Sequence, residues 1–169
     1  MGFVRRLQGR FDEAVNEGEA AIRLNPNLNS AHYNLGYAKL YSGRGEEALP
    51  HFADAIRLAP RDPFLFLGYF GIGCVHFLLG DDDRAIEVLR KAIALNPTYP
   101  GVHLVLSAAY GMQGRADEAS AALAAYFRTG PTARTIALVR AQSPSTRPTF
   151  VAQRQRIYEG LRRAGMLEQ

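Results

Sequence analysis

Four stretches of the chain end alike, AAIRLNP at 20–26, DAIRLAP at 54–60, KAIALNP at 91–97 and the weaker AYFRTGP at 125–131; their terminal prolines Pro26, Pro60, Pro97 and Pro131 lie 34, 37 and 34 residues apart. A sequence that repeats at such a period folds as an array of like units, each too small to bury its apolar face alone and each covered by its neighbours. With each proline taken as position 32 of its repeat, position 20 falls on Ala14, Ala48, Ala85 and Ala119, and position 8 on Gly2, Gly36, Gly73 and Ser107. Position 15 is Gly9, Gly43, Gly80 and Gly114, and position 27 is Ala21, Ala55, Ala92 and then Tyr126. Small residues at 8, 20 and 27 let two helices approach closely, while Leu35, Ile72 and Leu106 at position 7 and Phe52, Leu89 and Leu123 at position 24 fill the space between them. The glycine at position 15 supplies the positive φ that a tight inter-helix turn needs.

This combination resembles the tetratricopeptide repeat (TPR) over residues 1–131, most specifically in the second and third repeats. The resemblance implies an all-α fold, a right-handed solenoid of antiparallel helix pairs, with a truncated first repeat at 1–28 and further repeats at 29–62, 63–99 and 100–131. Met1 falls at position 7, so the first helix lacks its opening turn and a half, and Arg5 stands at position 11 where an aromatic is usual. The longer third spacing places three extra residues near Arg61 to Leu65, which predicts a longer helix or a longer loop before it. After Pro131 the pattern stops, because the next position 11 would be Pro144, forbidden inside a helix. Residues 132–169 read as a short helix from about Thr132 to Ala141, a Ser/Pro linker, and a last helix from about Thr149 to Ala164 ended by Gly165. Phe150, Ile157, Leu161 and Ala164 line one side of that helix, which predicts a C-terminal capping helix with a polar outer face.

Charge and composition narrow the function. Hydrophobic residues make up 47% of the 169 and charged ones 21%, enough for a core, and there is no apolar run of the ~18 residues a membrane span needs. The net charge of +4 belongs to the tail: residues 1–130 carry 13 basic against 14 acidic residues, and residues 131–169 carry seven arginines against Glu159 and Glu168. A near-neutral body argues against a nucleic-acid partner. The start of the chain shows no secretory signal, which predicts a cytoplasmic protein, and the lone Cys74 permits neither an intrachain disulfide nor a cysteine-based zinc site.

The tail carries a second resemblance. The run at 148–169, with AQRQR at 152–156 and EGLRRAG at 159–165, is similar to the ending of bacterial proteins in which TPR repeats follow a class III adenylate/guanylate cyclase domain or a winged-helix regulator domain. That kinship implies an adaptor or regulatory module in signalling. No segment of this chain corresponds to a cyclase or winged helix, so neither activity comes with it.

No catalytic constellation is found. His32 and His103 occupy repeat position 4, His76 position 11 and His51 position 23, with no HExxH and no two histidines four apart. Asp81, Asp82 and Asp83 begin a Ca²⁺-like run, but Ala92 stands where the closing Glu of such a loop belongs; they read better as caps of the helix that follows Gly80. The glycines form no phosphate loop, and the serines have no GxSxG context. No enzyme activity, cofactor or metal is expected.

What remains is the concave surface. The TPR resemblance implies that the first helices of the repeats line a groove through positions 2, 5, 6, 9, 12 and 13. These place Tyr33, Asn34, Tyr37 and Tyr41 of the second repeat, Leu67, Phe70, Cys74 and Phe77 of the third, and Leu104 and Met112 of the fourth along it. Of the basic and amide clamp with which some TPR domains grip acidic chaperone tails, only Asn34 matches; Leu67 and Gly71 stand where its basic residues would be. The groove therefore predicts a protein or peptide partner with an apolar or amphipathic segment. Three readings stand open: an external segment, coverage by the chain's own tail or a second copy, and plain helix-to-helix packing. The rival function is self-association as a homodimer, through Phe3, Val4 and Leu7 on the incomplete first helix.

Overall fold

The computed structural model describes residues 2–169; the side chains of residues 2, 3 and 7 lie outside the description. The described residues form ten helices and no strand: α1 (Gly2–Leu7), α2 (Phe11–Leu24), α3 (Asn29–Tyr41), α4 (Gly45–Leu58), α5 (Leu65–Leu79), α6 (Asp82–Leu95), α7 (Pro100–Met112), α8 (Ala116–Arg128), α9 (Ile136–Ala141) and α10 (Pro148–Arg163). The first eight pair as four antiparallel hairpins, each packed on the next, as the repeat period requires.

The hairpins close through their small residues. A Cβ at Gly36 would sit 2.7 Å from the Phe52 ring, and one at Gly73 would sit 2.7 Å from Leu89, so positions 8 and 24 touch in consecutive repeats. Ala48, Ala85, Ala119, Ala55 and Ala92 are all fully buried. In the fourth repeat Ser107 replaces the glycine, and its hydroxyl is satisfied by donating to the Ala119 carbonyl at 2.9 Å. The four turn glycines have φ between +71° and +92°, left-handed values that a side chain would strain.

The third repeat spreads its extra residues over loop and helix, α5 running to 15 residues where α3 and α7 have 13. Asn29 and Pro100 begin three residues after Pro26 and Pro97, whereas Leu65 begins five after Pro60. Asp62 organises the longer loop: its side chain accepts from the Phe64 amide at 2.8 Å and from the Asn29 side chain at 2.7 Å, joining loop to neighbouring repeat.

Two devices recur that residue type alone did not reveal. His32 and His103 at position 4 each hydrogen-bond, through Nε2, the carbonyl of the proline that ended the repeat before, Pro26 at 2.9 Å and Pro97 at 2.7 Å. Position 11 carries the bases Arg5, Lys39 and His76, each facing acids: Arg5 meets Glu13 and Glu17, buried Lys39 meets Glu19 and Glu47, and His76 meets Asp81. The partly buried charges of Arg5 and Lys39 are tolerated there because each is paired.

Of the N-terminal edge, Val4 is 53% exposed, while the side chains of Phe3 and Leu7 fall outside the described residues. Substituting Gly36→Val is expected to overpack the Phe52 contact and lower stability by about 1–3 kcal/mol, measured by denaturant unfolding.

Candidate functional site

The terminal helix caps the array from its concave side. Its chief neighbour is α7, with further contacts to α5, α8 and α9. The crossing with α7 is backbone on backbone: a Cβ at Gly111 would run into the Gly160 carbonyl, and one at Gly160 into the Ala108 carbonyl. From there α10 spans the groove back toward the second repeat. Phe150, 2% exposed, meets Tyr41 edge-on with ring centroids 5.6 Å apart. Thr149 lies against Gly43, and Arg147 at the helix start pairs with Asp12 in the first repeat.

Arg156 fastens this helix at its middle. Its Nε donates to the Phe77 carbonyl at 3.0 Å, and one terminal nitrogen donates to both Asp82 carboxylate oxygens at 2.8 and 2.9 Å. The guanidinium lies 5.4 Å from the centroid of the Phe77 ring. The acidic run after Gly80 thus divides its work. Asp81 caps α6 by accepting from the Arg84 amide, Asp82 holds the tail, and Asp83 accepts from Gln113 of the next repeat. The capping role foreseen for all three is kept by Asp81, while Asp82 and Asp83 bind across elements.

The ten expected groove residues separate into two groups. Tyr37, Phe70 and Phe77 are buried in the chain as it stands, Phe77 completely; Tyr33, Asn34, Tyr41, Leu67, Cys74, Leu104 and Met112 are half-buried. Tyr37 ties α3 to α5 by donating to the Leu67 carbonyl at 2.8 Å, and its ring packs edge-on against Phe52 with centroids 4.9 Å apart. Asn34, the one residue that matched a chaperone-tail clamp, donates to its own helix at the Ser30 carbonyl.

Between α10 and the floor of the groove lies a cavity of about 390 Å³. Tyr37, Tyr41, Phe70, Cys74 and Leu104 form the floor, Phe150, Arg154 and Ile157 of α10 one wall, and the segment Pro131–Pro144 with Tyr99 the others. Burial governs its chemistry. The Cys74 thiol is pushed up to about 12, so it is a neutral wall atom and no nucleophile at neutral pH. Burial likewise raises the phenols of Tyr37, Tyr41 and Tyr99, and that of Tyr33, which reaches about 12, with Asp62 adding to the rise. Among the described residues no group of three His, Cys, Asp or Glu side chains is placed to hold a metal ion.

Three tetratricopeptide-repeat profiles match the chain, at residues 2–43, 27–98 and 77–142. The chain is built of tetratricopeptide repeats. Over 85 residues, half of this chain, it is 32% identical to the photosystem I assembly protein Ycf3 of Cyanophora paradoxa, and over 92 residues it is 29% identical to a cell division cycle protein 27 homolog of Caenorhabditis elegans. Those matches span 49% and 11% of the two proteins. The TPR protein TTC0263 of Thermus thermophilus superposes with a TM-score of 0.69 at 26% identity, covering 94% of this chain and 87% of that one. TPR repeats mediate protein–protein interaction, and no described helix is long and apolar enough to cross a membrane.

Raised phenol values set a sign for alkaline stability. A tyrosine held neutral by the fold contributes stability that is present below its ordinary value of 10 and, for Tyr33, lost as pH rises through about 12. Tyrosinate absorbance is therefore expected to show part of the eight tyrosines ionising only as the helical circular dichroism collapses. All eight ionising near pH 10 with the helices intact would contradict this burial.

Proposed function

We propose that the chain is a non-enzymatic interaction module that holds an apolar or amphipathic segment of a partner protein on its concave face, beside α10. The observation that carries this reading is α10 itself. The face holds an amphipathic helix by burying Phe150, Ile157 and Leu161, with the Arg156 clamp on Asp82 at its middle, so its shape and apolar character suit such a segment. The strip beyond α10, at the starts of α3 and α5, presents Tyr33, Asn34 and Leu67 half-buried, with Phe70 beneath. Phe77 is filled from within the chain, its ring under Arg156, and is not a contact for an incoming segment while α10 is docked. The similarity to an assembly protein supports an adaptor role. The tail's similarity to the endings of cyclase- and winged-helix-linked TPR proteins supports a place in bacterial signalling.

Panning a library of displayed amphipathic peptides against the full chain tests the reading. Binders are expected to lose about 2 kcal/mol with Tyr33→Ala or Leu67→Asp and little affinity between low and physiological ionic strength. Binders that ignore both substitutions, or that dissociate steeply with salt, would refute it.

A second reading, self-association through the first helix, is favoured by the exposure of Val4 at that edge. Sedimentation at high concentration is expected to show a dimer weakened by Val4→Asp; a monomer throughout would remove this reading.

A further inference from the structure

We infer that the cavity under α10 is a binding site for a small apolar monocarboxylate, with Arg154 as the group that receives the acid. This goes beyond partner docking on the outer strip and does not depend on it. Protein interiors pack to crystal density, and a gap of about 390 Å³ is of the size that small-molecule sites have. Its walls are mainly aromatic and aliphatic, and no Asp or Glu lines it.

Among the residues that line this cavity the charged one is Arg154. Among the described residues the other arginines of the tail helix and its start are paired with carboxylates: Arg147 with Asp12, Arg156 with Asp82, and Arg162 and Arg163 with Glu159. Arg154 has none. Its Nε donates to the Tyr158 hydroxyl at 3.1 Å and one terminal nitrogen to the Val139 carbonyl at 3.3 Å, both neutral acceptors. Phe150 and Tyr158, one turn to either side, hold its guanidinium between ring centroids each 5.9 Å away. A guanidinium fixed by its neighbours, with one terminal nitrogen uncommitted and no counter-charge, is arranged to take a carboxylate from the cavity. Among the lining residues Arg154 is the cation, and it matches one negative charge; Arg6 stacks against the floor instead, 5.3 and 5.8 Å from the Tyr37 and Tyr41 ring centroids, and the aromatic walls match an apolar body. The tail closes one side of the chamber and the 131–144 segment another, which favours a compact molecule over a threaded chain.

Titration calorimetry of the full chain with 4-phenylbutyrate, with the uncharged 4-phenylbutanol, and with a short peptide ending in phenylalanine tests the assignment. The acid is expected to bind saturably at one site, at least tenfold tighter than the alcohol. Arg154→Met is expected to remove that preference, leaving the alcohol's affinity unchanged, and Arg154→Lys, which keeps the charge, to retain part of it. Leu104→Trp, which fills the chamber, is expected to abolish binding of both while the thermal melt shows a folded chain. Should Arg154→Met prove unfolded, Arg154→Lys and Leu104→Trp carry the test alone. Equal affinity for acid and alcohol in the unsubstituted chain, saturable binding of neither, or binding unaffected by Leu104→Trp overturns the proposal. So does tight binding of the peptide alone, which would assign the site to a chain terminus.

Discussion

The crossing of α7 and α10 at Gly111 and Gly160 sets the shape of the concave face of this molecule. Two helix backbones touch there with no side chain between them, which a Cβ on either glycine would prevent. Helix pairs ordinarily stand 8–10 Å apart, at a distance set by the side chains at the contact. Removing those side chains lowers α10 into the groove far enough for Arg156 to reach Asp82 and for Phe150 to reach Tyr41. The glycines cost something as helix residues, roughly 1 kcal/mol each relative to alanine. Close packing and the apolar burial of Ile157 and Leu161 offset that cost.

The same placement decides what the concave face can do. In a bare array the whole row of first helices would be open to a ligand. Here α10 crosses the row, so the face divides into an outer strip around Tyr33 and Leu67 and an inner chamber walled by aromatic rings and Arg154. The Arg156–Asp82 pair bears on this division because both side chains are partly buried, 30% and 15% exposed, where one terminal nitrogen shared between both carboxylate oxygens holds better than at an open surface. It joins the first residue of α6 to the middle of α10.

Much of this architecture was legible in the sequence because repeats write their geometry in small residues. Gly36 and Gly73 mark helix contacts, Gly43 and Gly80 mark turns, and the terminal prolines mark the period, each for a steric reason that holds wherever it recurs. The amphipathic last helix was legible too, with its end at Gly165. Which apolar surface it would choose was not, since Phe150, Ile157 and Leu161 would suit the outer end of α8 as well as the concave side. The signal that could have decided it was Gly160, a glycine in mid-helix with no turn to make, paired with Gly111 at a groove position. Asp82 was read as one of three capping acids because its partner, Arg156, lies 74 residues away. The bonds of His32 and His103 to Pro26 and Pro97 follow from the repeat geometry, which residue type alone does not reveal.

Native-state hydrogen exchange, resolved by residue, tests the docked tail most directly. A 16-residue helix alone in water is marginal, so its amides would exchange fast unless tertiary packing protects them. Docking in the groove is expected to give the amides from Tyr158 to Leu161 protection comparable with those of Ala108 to Gly111 in α7, lost together as denaturant is added. Fast exchange throughout α10 beside a protected α7 would show the tail detached, and would contradict the placement on which the outer strip, the chamber and the arginine clamp all rest.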